Sequence, residues 1–160
     1  MVQNAGMPSR FLALIRLVTS RLAGRPIEPS LGGYLTGEFP ANGAWFEEMQ
    51  QLCLRGCSEG WLCASERGGI KFGRVVKPGA EAAGFSVDVV DMKDVVGPHH
   101  RHPHGEVDLI MPLDEGAEFD GTGKGWKVYG PGSAHRPTVT GGRALILYLL
   151  PEGAIEFTRE

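Results

Sequence analysis

The histidines of this chain are concentrated in one region. All five lie between residues 99 and 135, and four of them fall in the segment GPHHRHPHGE. His100, His102 and Glu106 share the same parity, so on an extended segment their side chains project to one face. Such ligands suit one divalent ion, such as iron, manganese, zinc or nickel. His135 follows a Pro-Gly turn further along, and a β-barrel would return it to the same place. The sequence therefore predicts a metal ion held by these four side chains.

Two further side chains near this segment are candidates for proton transfer. His104 shares the parity of the predicted ligands, which makes His102, His104 and Glu106 a competing metal-binding triad. The proline and the glycine on either side of His104 favour a bend, which would make it a proton carrier behind the ligands. Asp108 shares the parity of Glu106 and is the second candidate. We therefore predict His104 and Asp108 as catalytic residues.

The first 64 residues carry a helical pattern, which changes to a strand pattern at residue 65. The apolar stripe of the first predicted helix consists of Phe11, Leu14, Ile15, Val18 and Leu22. That helix is predicted to end at Gly24 and Pro26, and a connector rich in glycine and proline continues to Pro40. A second helix is predicted from the N-cap Asn42 to Gly56. Both helices are expected to pack on the remainder of the chain as part of the same domain.

Short runs of β-branched and aromatic residues fill the chain from residue 65 to residue 160. The clearest run is FSVDVV, in which Phe85, Val87 and Val89 alternate with Ser86 and Asp88. Turn dipeptides that contain glycine, proline or aspartate separate the runs. Evenly spaced short strands with such turns indicate a β-sandwich or a β-barrel. The predicted fold is therefore mainly β, a single-domain barrel with two N-terminal helices packed on it.

Composition argues against several kinds of partner. The formal net charge is −3 and no concentrated basic run appears, so no nucleic-acid partner is expected. The apolar runs fall short of the roughly 20 residues that span a membrane, and no signal-peptide pattern opens the sequence. The three cysteines are an odd number clustered in one segment, which fits free thiols in a reducing compartment. We therefore predict a cytoplasmic protein.

The histidine segment resembles one half of a known pair of motifs. The stretch from His100 to Glu106 reads His-x-His, three residues and then Glu, and the later stretch PGSAH ends at His135. Together they resemble the two motifs of the cupin superfamily, although the proline and glycine of the second motif are adjacent here. The resemblance implies a small β-barrel, or jelly roll, in which three histidines and the glutamate bind one metal ion at the barrel mouth. It also implies a homodimer, since cupins are often dimers.

Longer stretches of the chain follow a narrower pattern, namely EGWLC, GGIKFGRV, FSVDVVDM, GPHHRHPHGEVDLIMP, FDGTGKGWKVYGPGSAHRPTV and LYLLPEGAIEF. They resemble the 4-hydroxylaminobenzoate lyases of bacterial nitroaromatic breakdown, from the second predicted helix to the C-terminus. The resemblance implies a lyase that converts 4-hydroxylaminobenzoate and water to 3,4-dihydroxybenzoate and ammonia. It implies no redox cofactor, because the N–O bond supplies the oxidising equivalents.

An aromatic acid of this kind needs a cation for its carboxylate and a surface for its ring. Lys71 and Arg74 lie on the run GIKFGRVV with opposite parity, so only one of them should face the barrel interior, and Arg136 follows a predicted ligand. Each of the three is otherwise a solvated surface charge. Trp126 and Tyr129 are predicted to stack on the ring, with barrel core as the alternative.

Two other functions fit the same motifs. A cupin dioxygenase acting on a catechol-like ring would hold Fe(II) with the same four ligands, and oxygen uptake would distinguish it from a lyase. A non-catalytic cupin that binds a small molecule is the second alternative, because one fold hosts many chemistries. Ligand binding without turnover would favour that reading.

Overall fold

Three helices come first in the structure, a computed structural model that describes residues 6–159. Helix α1 spans Ser9–Leu22, α2 spans Leu31–Glu38 and α3 spans Ala44–Glu59. The apolar stripe predicted for α1 is confirmed, since all five of its members are buried. None of the helices in the described residues has the length and apolar character needed to cross a membrane. The absence of a signal peptide stays a prediction, because residues 1–5 lie outside the described part of the chain.

Ten strands within the described residues form two antiparallel sheets around a common interior. The strands are β1 Ser65–Arg67, β2 Ile70–Val76, β3 Phe85–Val96, β4 His100–His102, β5 Glu106–Pro112, β6 Glu118–Phe119, β7 Gly125–Tyr129, β8 Ser133–His135, β9 Thr138–Pro151 and β10 Glu156–Phe157, with a short 3-10 helix at Ala80–Ala82 before β3. The larger sheet has the order β1-β2-β3-β9-β5-β7, with β6 paired to β9, and the smaller sheet has the order β10-β4-β8. The predicted mainly β fold is confirmed.

Helix α2 lies where a connector was predicted. Leu31 and Leu35, four residues apart, are buried on one side of this helix, which packs against β7. Gly32 faces β7, since an added Cβ there would lie 4.0 Å from the backbone oxygen of Trp126, an ordinary van der Waals distance. The three glycines of this helix have low helix propensity, but tertiary packing outweighs propensity in a segment this short. Two helices were predicted and three are present in the described residues, so the prediction was wrong about the connector.

Helix α3 is longer than predicted at its C-terminal end. It begins after Gly43 rather than after Asn42, and it ends at Gly60, whose φ of 91° is left-handed. Gly56, the predicted stop, lies inside the helix and is buried. An added Cβ at Gly56 would lie 2.6 Å from Cδ1 of Leu62, so this glycine is required by packing and not by helix termination.

The two faces of the larger sheet have different neighbours. Over residues 85–90 of β3 and 144–150 of β9, the odd-numbered apolar residues, such as Val87, Val89 and Leu147, belong to a hydrophobic core that the helices share. Even-numbered residues, such as Val90 and Ile146, belong to a second core on the barrel side. The predicted alternation along β3 is therefore confirmed. Because one core contains residues from helices and strands alike, the chain forms a single domain.

A line of polar side chains crosses the barrel side of the larger sheet. In the strand register, Arg74 pairs with Asp88, Asp88 with Tyr148, Tyr148 with Asp108, and Asp108 with Lys127. We call these five residues the polar row. Glu106 lies two residues before Asp108 on β5, on the same face of the sheet. The register therefore places acidic and basic groups next to one of the predicted metal ligands.

Candidate metal centre and substrate cavity

Strand register brings the four predicted ligands together. His100 on β4 lies directly opposite His135 on β8, and His102 lies two residues further along the same face of β4. Glu106 is the first residue of β5 and follows the short turn that begins after His102. The nitrogen and oxygen atoms that these four side chains offer a metal all lie within 4.8 Å of one another. The structure therefore assembles the set of four that the sequence predicted.

The turn between β4 and β5 depends on a glycine. Gly105 has a φ of 90°, and its backbone N–H donates to the carbonyl of His102 at 3.2 Å. An added Cβ at Gly105 would lie 2.6 Å from Cγ2 of Ile27 and 2.8 Å from the backbone oxygen of Tyr129. Only glycine fits this position without strain, since the left-handed backbone and the close neighbours both exclude a side chain. This turn determines where Glu106 starts relative to His102.

Several atoms at the centre of the cluster are buried without a hydrogen-bond partner. They are Nε2 of His102 and both carboxylate oxygens of Glu106, although Nε2 lies only 2.8 Å from Oε1. The Nε2 atoms of His100 and His135 are 3.1 Å apart, and Nε2 of His100 is 3.8 Å from Oε1 of Glu106. Buried polar atoms without partners are costly, so these converging atoms fit a shared cation. Three imidazoles and one carboxylate are typical ligands of first-row divalent metals.

A serine orients one of the imidazoles. Nδ1 of His102 lies 3.0 Å from Oγ of Ser133, and this hydroxyl in turn donates to the carbonyl of Gly130 at 2.6 Å. Because the serine proton is used on Gly130, the serine oxygen accepts the proton on Nδ1 of His102. The other nitrogen, Nε2, faces Glu106 at 2.8 Å, so a metal ion would take the place of a proton between these two atoms.

An aspartate orients a second imidazole. Nδ1 of His135 donates to Oδ2 of Asp120 at 2.5 Å, which leaves Nε2 of His135 directed at the cluster. The Tyr129 hydroxyl also donates to Oδ2, and the backbone N–H of Thr138 donates to Oδ1 at 2.9 Å. Burial raises the pKa of Asp120, but the hydrogen bonds from His135 and Tyr129 outweigh burial and hold its pKa below the ordinary value. Asp120 is therefore an ionised support for His135.

Burial sets the protonation of the cluster. It lowers the pKa of His100 to about 4, so this imidazole is neutral at pH 7 and able to bind a metal ion. Burial raises the pKa of Glu106, but contacts with His102, Asp108 and His100 outweigh burial and hold the Glu106 pKa below its ordinary value. Burial and the nearby charge of Glu106 raise the pKa of Asp108 well above its ordinary value. The pKa values of the two neighbouring carboxyl groups are thus shifted in opposite directions, with that of Glu106 lowered and that of Asp108 raised.

The cluster borders a large cavity on the barrel side of the larger sheet. Its volume is about 860 Å³, within the range of small-molecule sites. The wall is mostly apolar and includes Phe72, Val90, Met92, Ile155 and Phe157. The polar residues of the wall include Arg67, Arg74, Asp88, His100 and Tyr148. Because His100 belongs to both the cavity and the cluster, a molecule in the cavity has access to the predicted metal site.

The three basic side chains predicted to bind a substrate carboxylate differ in whether they line the cavity. Arg74 lines the cavity, but its guanidinium is paired with Asp88, with Nε 2.8 Å from Oδ1. Lys71 has opposite parity, pairs with Glu66 across the β1–β2 hairpin and does not line the cavity. Arg136 is exposed and lies outside the cavity wall. Of the three, Arg74 alone is in place, and its charge is already compensated.

Of the predicted aromatic and acid–base residues, some lie at the cluster and others lie away from it. Trp126 faces the helices, where its Nε1 donates to the carbonyl of Phe39 at 2.9 Å, so it is barrel core and does not face the cavity. Tyr129 lies beside the cluster, with its ring centroid 5.3 Å from that of His102. The His104 side chain is 51% exposed and contacts Glu152, which removes it from the cluster because the turn after β4 directs it outward. Asp108 is buried next to Glu106.

Sequence reasoning missed several residues that shape this site. In the sequence, the pair Asp120-Gly121 indicates only a turn, and Ser133 lies within the stretch PGSAH without a role of its own. The requirement of each ligand histidine for a partner on its second nitrogen is a general signal, but it does not say which residue supplies it. Arg67 and Asp88 enter the cavity through strand register, which the sequence alone does not reveal.

Two facing sheets that enclose a cluster of three histidines and one glutamate define a cupin. The family model for PnbB, 4-hydroxylaminobenzoate lyase, matches residues 13–157 of this chain. The chain therefore belongs to the 4-hydroxylaminobenzoate lyase family, as the sequence resemblance predicted, and it is a lyase.

Individual relatives agree with this assignment. A 4-hydroxylaminobenzoate lyase from Nocardioides sp. (strain LMS-CY) is 33% identical over 147 residues, which cover 86% of this chain and 85% of that protein. A protein of the same name from Pseudomonas putida is 30% identical over 141 residues, which cover 78% of this chain and 80% of that protein. Among solved structures, one described as "DMSP lyases RdDddP and RnDddQII" matches with a TM-score of 0.52 and 11% identity, over 94% of this chain and 99% of that chain. This last similarity shows the fold alone.

Proposed function

We propose that this protein converts 4-hydroxylaminobenzoate and water to 3,4-dihydroxybenzoate and ammonia, with a divalent metal ion held by His100, His102, Glu106 and His135. The observation that carries the proposal is the position of His100, which belongs both to the ligand cluster and to the wall of an apolar cavity. A planar aromatic ring suits that wall, and its polar substituent then meets the cluster. Family membership supplies the identity of the ring.

The proposed reaction needs no external oxidant. The N–O bond breaks, a C–O bond forms at the ring carbon next to the one that bears nitrogen, and hydrolysis of the C–N bond releases ammonia. The nitrogen gains the two electrons that the ring loses, so one water in and one ammonia out balance the equation. A divalent ion bound at the cluster supplies Lewis acidity, which makes the hydroxylamine oxygen a better leaving group.

The protein side chains have distinct tasks in this proposal. Phe72 and Phe157 in the cavity wall bind the ring and exclude bulk water. Asp108 is fully buried and points to the barrel side two residues after Glu106, and burial together with the charge of Glu106 raises its pKa. We assign to Asp108 the exchange of a proton with the reacting water or the leaving nitrogen. His104 is left out of the reaction, because it is half exposed beside Glu152.

We also propose that the protein acts in the cytoplasm as a homodimer. Cys53, Cys57 and Cys63 are free thiols, as suits a reducing compartment. Leu17 of α1 and Leu54 of α3 are 50% and 42% exposed, and apolar side chains this exposed are suited to burial against a second copy. Light scattering of the purified protein tests the assembly, and the mass of a single chain would contradict a dimer.

The catalytic proposal is tested by incubating the purified protein with 4-hydroxylaminobenzoate under anaerobic conditions, with and without prior chelation. We expect ammonia and 3,4-dihydroxybenzoate in equal amounts without oxygen, and loss of both after chelation with recovery on metal addition. Oxygen consumption with ring cleavage would replace the lyase by a dioxygenase. Full turnover in protein shown to be free of metal would exclude the metal from the reaction.

A further inference from the structure

Two arginines line the cavity, and they differ in their partners. Nε and Nη2 of Arg74 lie 2.8 and 3.2 Å from the two carboxylate oxygens of Asp88, and Nη2 also donates to the carbonyl of Gly153 at 3.3 Å. Arg67 makes no ion pair with any carboxylate in residues 6–159. A second carboxylate next to Arg74 would meet the negative charge of Asp88, whereas one next to Arg67 would not.

Hairpin geometry directs Arg67 to the cavity. Gly68 and Gly69 both have positive φ, of 60° and 83°, which forms a tight two-residue turn between β1 and β2. Arg67 and Ile70 close this turn as a cross-strand pair, so their side chains share the face that lines the cavity. Glu66 and its cross-strand partner lie on the other face of the hairpin. Arg67 therefore lies at the exposed rim of the cavity, on the face of the hairpin that lines it.

The rim that carries Arg67 lies near the cluster. Cδ1 of Ile70 would lie 3.4 Å from a Cβ placed on Gly97, three residues before His100. Pro98, the residue after Gly97, lines the cavity together with Arg67. The β1–β2 turn is thus next to the segment that enters β4. A molecule that extends from His100 toward the opening reaches the side of the cavity where Arg67 is located.

We infer that Arg67 is the specificity-determining residue that binds the substrate carboxylate at the cavity rim. This inference rests on the proposed function, which places the hydroxylamino group of the substrate at the cluster. Para substituents on a benzene ring point in opposite directions, so the carboxylate then points away from the cluster and toward the opening. Arg67 offers the charge and the paired N–H groups that bind a carboxylate there. Arg74 is held by Asp88 and forms part of the wall.

The test compares binding of 4-aminobenzoate with binding of 4-aminobenzamide by isothermal titration calorimetry. These two probes share the ring and the para nitrogen and differ in the carboxylate charge. Arg67→Gln should weaken 4-aminobenzoate binding about tenfold and change 4-aminobenzamide binding by less than about twofold, because a charged hydrogen bond is lost at a partly solvated site. Arg67→Lys should recover part of the loss. Lys71→Gln, which removes one charge from the other face of the same hairpin, is the matched control and should bind both probes as wild type does.

The outcomes separate this inference from the proposed function. If Arg67→Gln keeps the wild-type preference for the charged probe while the wild type turns over 4-hydroxylaminobenzoate, the role of Arg67 is wrong and the lyase proposal is unaffected. If the wild type shows no turnover but prefers the charged probe in an Arg67-dependent way, the lyase proposal fails and the carboxylate site stands. An equal loss in Lys71→Gln would show a general charge effect and overturn the assignment. In turnover, Arg67→Gln should raise KM about tenfold with kcat within about twofold.

Discussion

Asp120 lies 2.5 Å from Nδ1 of His135, and the two residues come from different segments that only the folded barrel brings together. The same carboxylate accepts hydrogen bonds from Tyr129 and from the backbone of Thr138. Asp120 therefore fixes both the orientation and the protonation of His135, the ligand contributed by the second motif.

Replacing Asp120 by asparagine should weaken metal binding. The amide cannot supply the charge that holds the proton on Nδ1 of His135, and loss of such a partner typically costs roughly 10- to 100-fold in metal affinity. Competition with a chelating dye measures this affinity directly. Tyr129→Phe removes the other side-chain hydrogen bond to Asp120 but leaves the aspartate–histidine pair, so it should cost less than about threefold. Equal losses in the two variants would contradict the role assigned to Asp120.

His102→Ala should remove most of the bound metal and most of the turnover while the barrel stays folded. His102 is fully buried at the centre of the cluster, and its Nε2 lies 2.8 Å from Oε1 of Glu106. His104→Ala is the matched control, because that side chain contacts Glu152 at the surface and should leave metal content unchanged. Metal analysis, circular dichroism and product formation are measured on the same samples. Full activity in a metal-free His102→Ala protein would exclude the metal-assisted reaction.

Asp108→Asn should lower turnover without loss of metal. The substitution keeps the size of the side chain but removes its exchangeable acid proton, and general acid–base groups typically contribute 10²- to 10⁴-fold. We expect kcat to fall roughly 100-fold and the metal content to match wild type. A fall in metal content to the same degree as activity would instead make Asp108 a support for Glu106.

The metal-free protein should lose stability between about pH 6.5 and pH 4. The unfolded chain binds a proton on His100 below its ordinary pKa of about 6.5, whereas the folded chain binds it only near pH 4. More protons bind to the unfolded state in this window, so the free energy of unfolding falls by about 3 kcal/mol as the pH decreases through it. Urea denaturation at several pH values measures the slope. His100→Gln should reduce the slope, and an unchanged slope in this variant would contradict the prediction.

Gly105→Ala should destabilise the fold and displace Glu106. Both a left-handed backbone and two contacts under 3 Å stand against an added Cβ at this position. Gly116→Ala is the matched control, since Gly116 has nearly the same φ of 89° but no atom within 4 Å of the added Cβ. We expect a loss of about 1 kcal/mol in the control and about 2 to 4 kcal/mol in Gly105→Ala, measured by urea denaturation. Equal losses would show that the contacts with Ile27 and Tyr129 relax without cost.

Three of the four predicted metal ligands follow from local geometry, whereas His135 was added by the resemblance to the cupin motifs. Parity groups His100, His102 and Glu106 within seven residues, and a turn before His135 is readable from its proline and glycine. The partners of these ligands depend on long-range register instead. Nothing local indicates that Asp120 meets His135, that Trp126 faces the helices, or that Arg67 reaches the cavity. Helix α2 was missed for the same reason, since packing against β7 outweighs its weak propensity.

The side chains of the larger sheet alternate between its two faces, so one layer packs against the helices and the other faces the barrel interior. Over residues 85–90 of β3 and 144–150 of β9, odd-numbered side chains pack against the helices, and even-numbered side chains, such as Asp88 and Tyr148, line the cavity. Substitutions in the helix-facing layer can therefore raise thermal tolerance without altering which ring acid is accepted. A single-residue insertion in the regular part of β9 would exchange the two layers from that point onward, whereas the irregular stretch between Val139 and Arg143, where the pairing with β3 shifts, already absorbs extra residues.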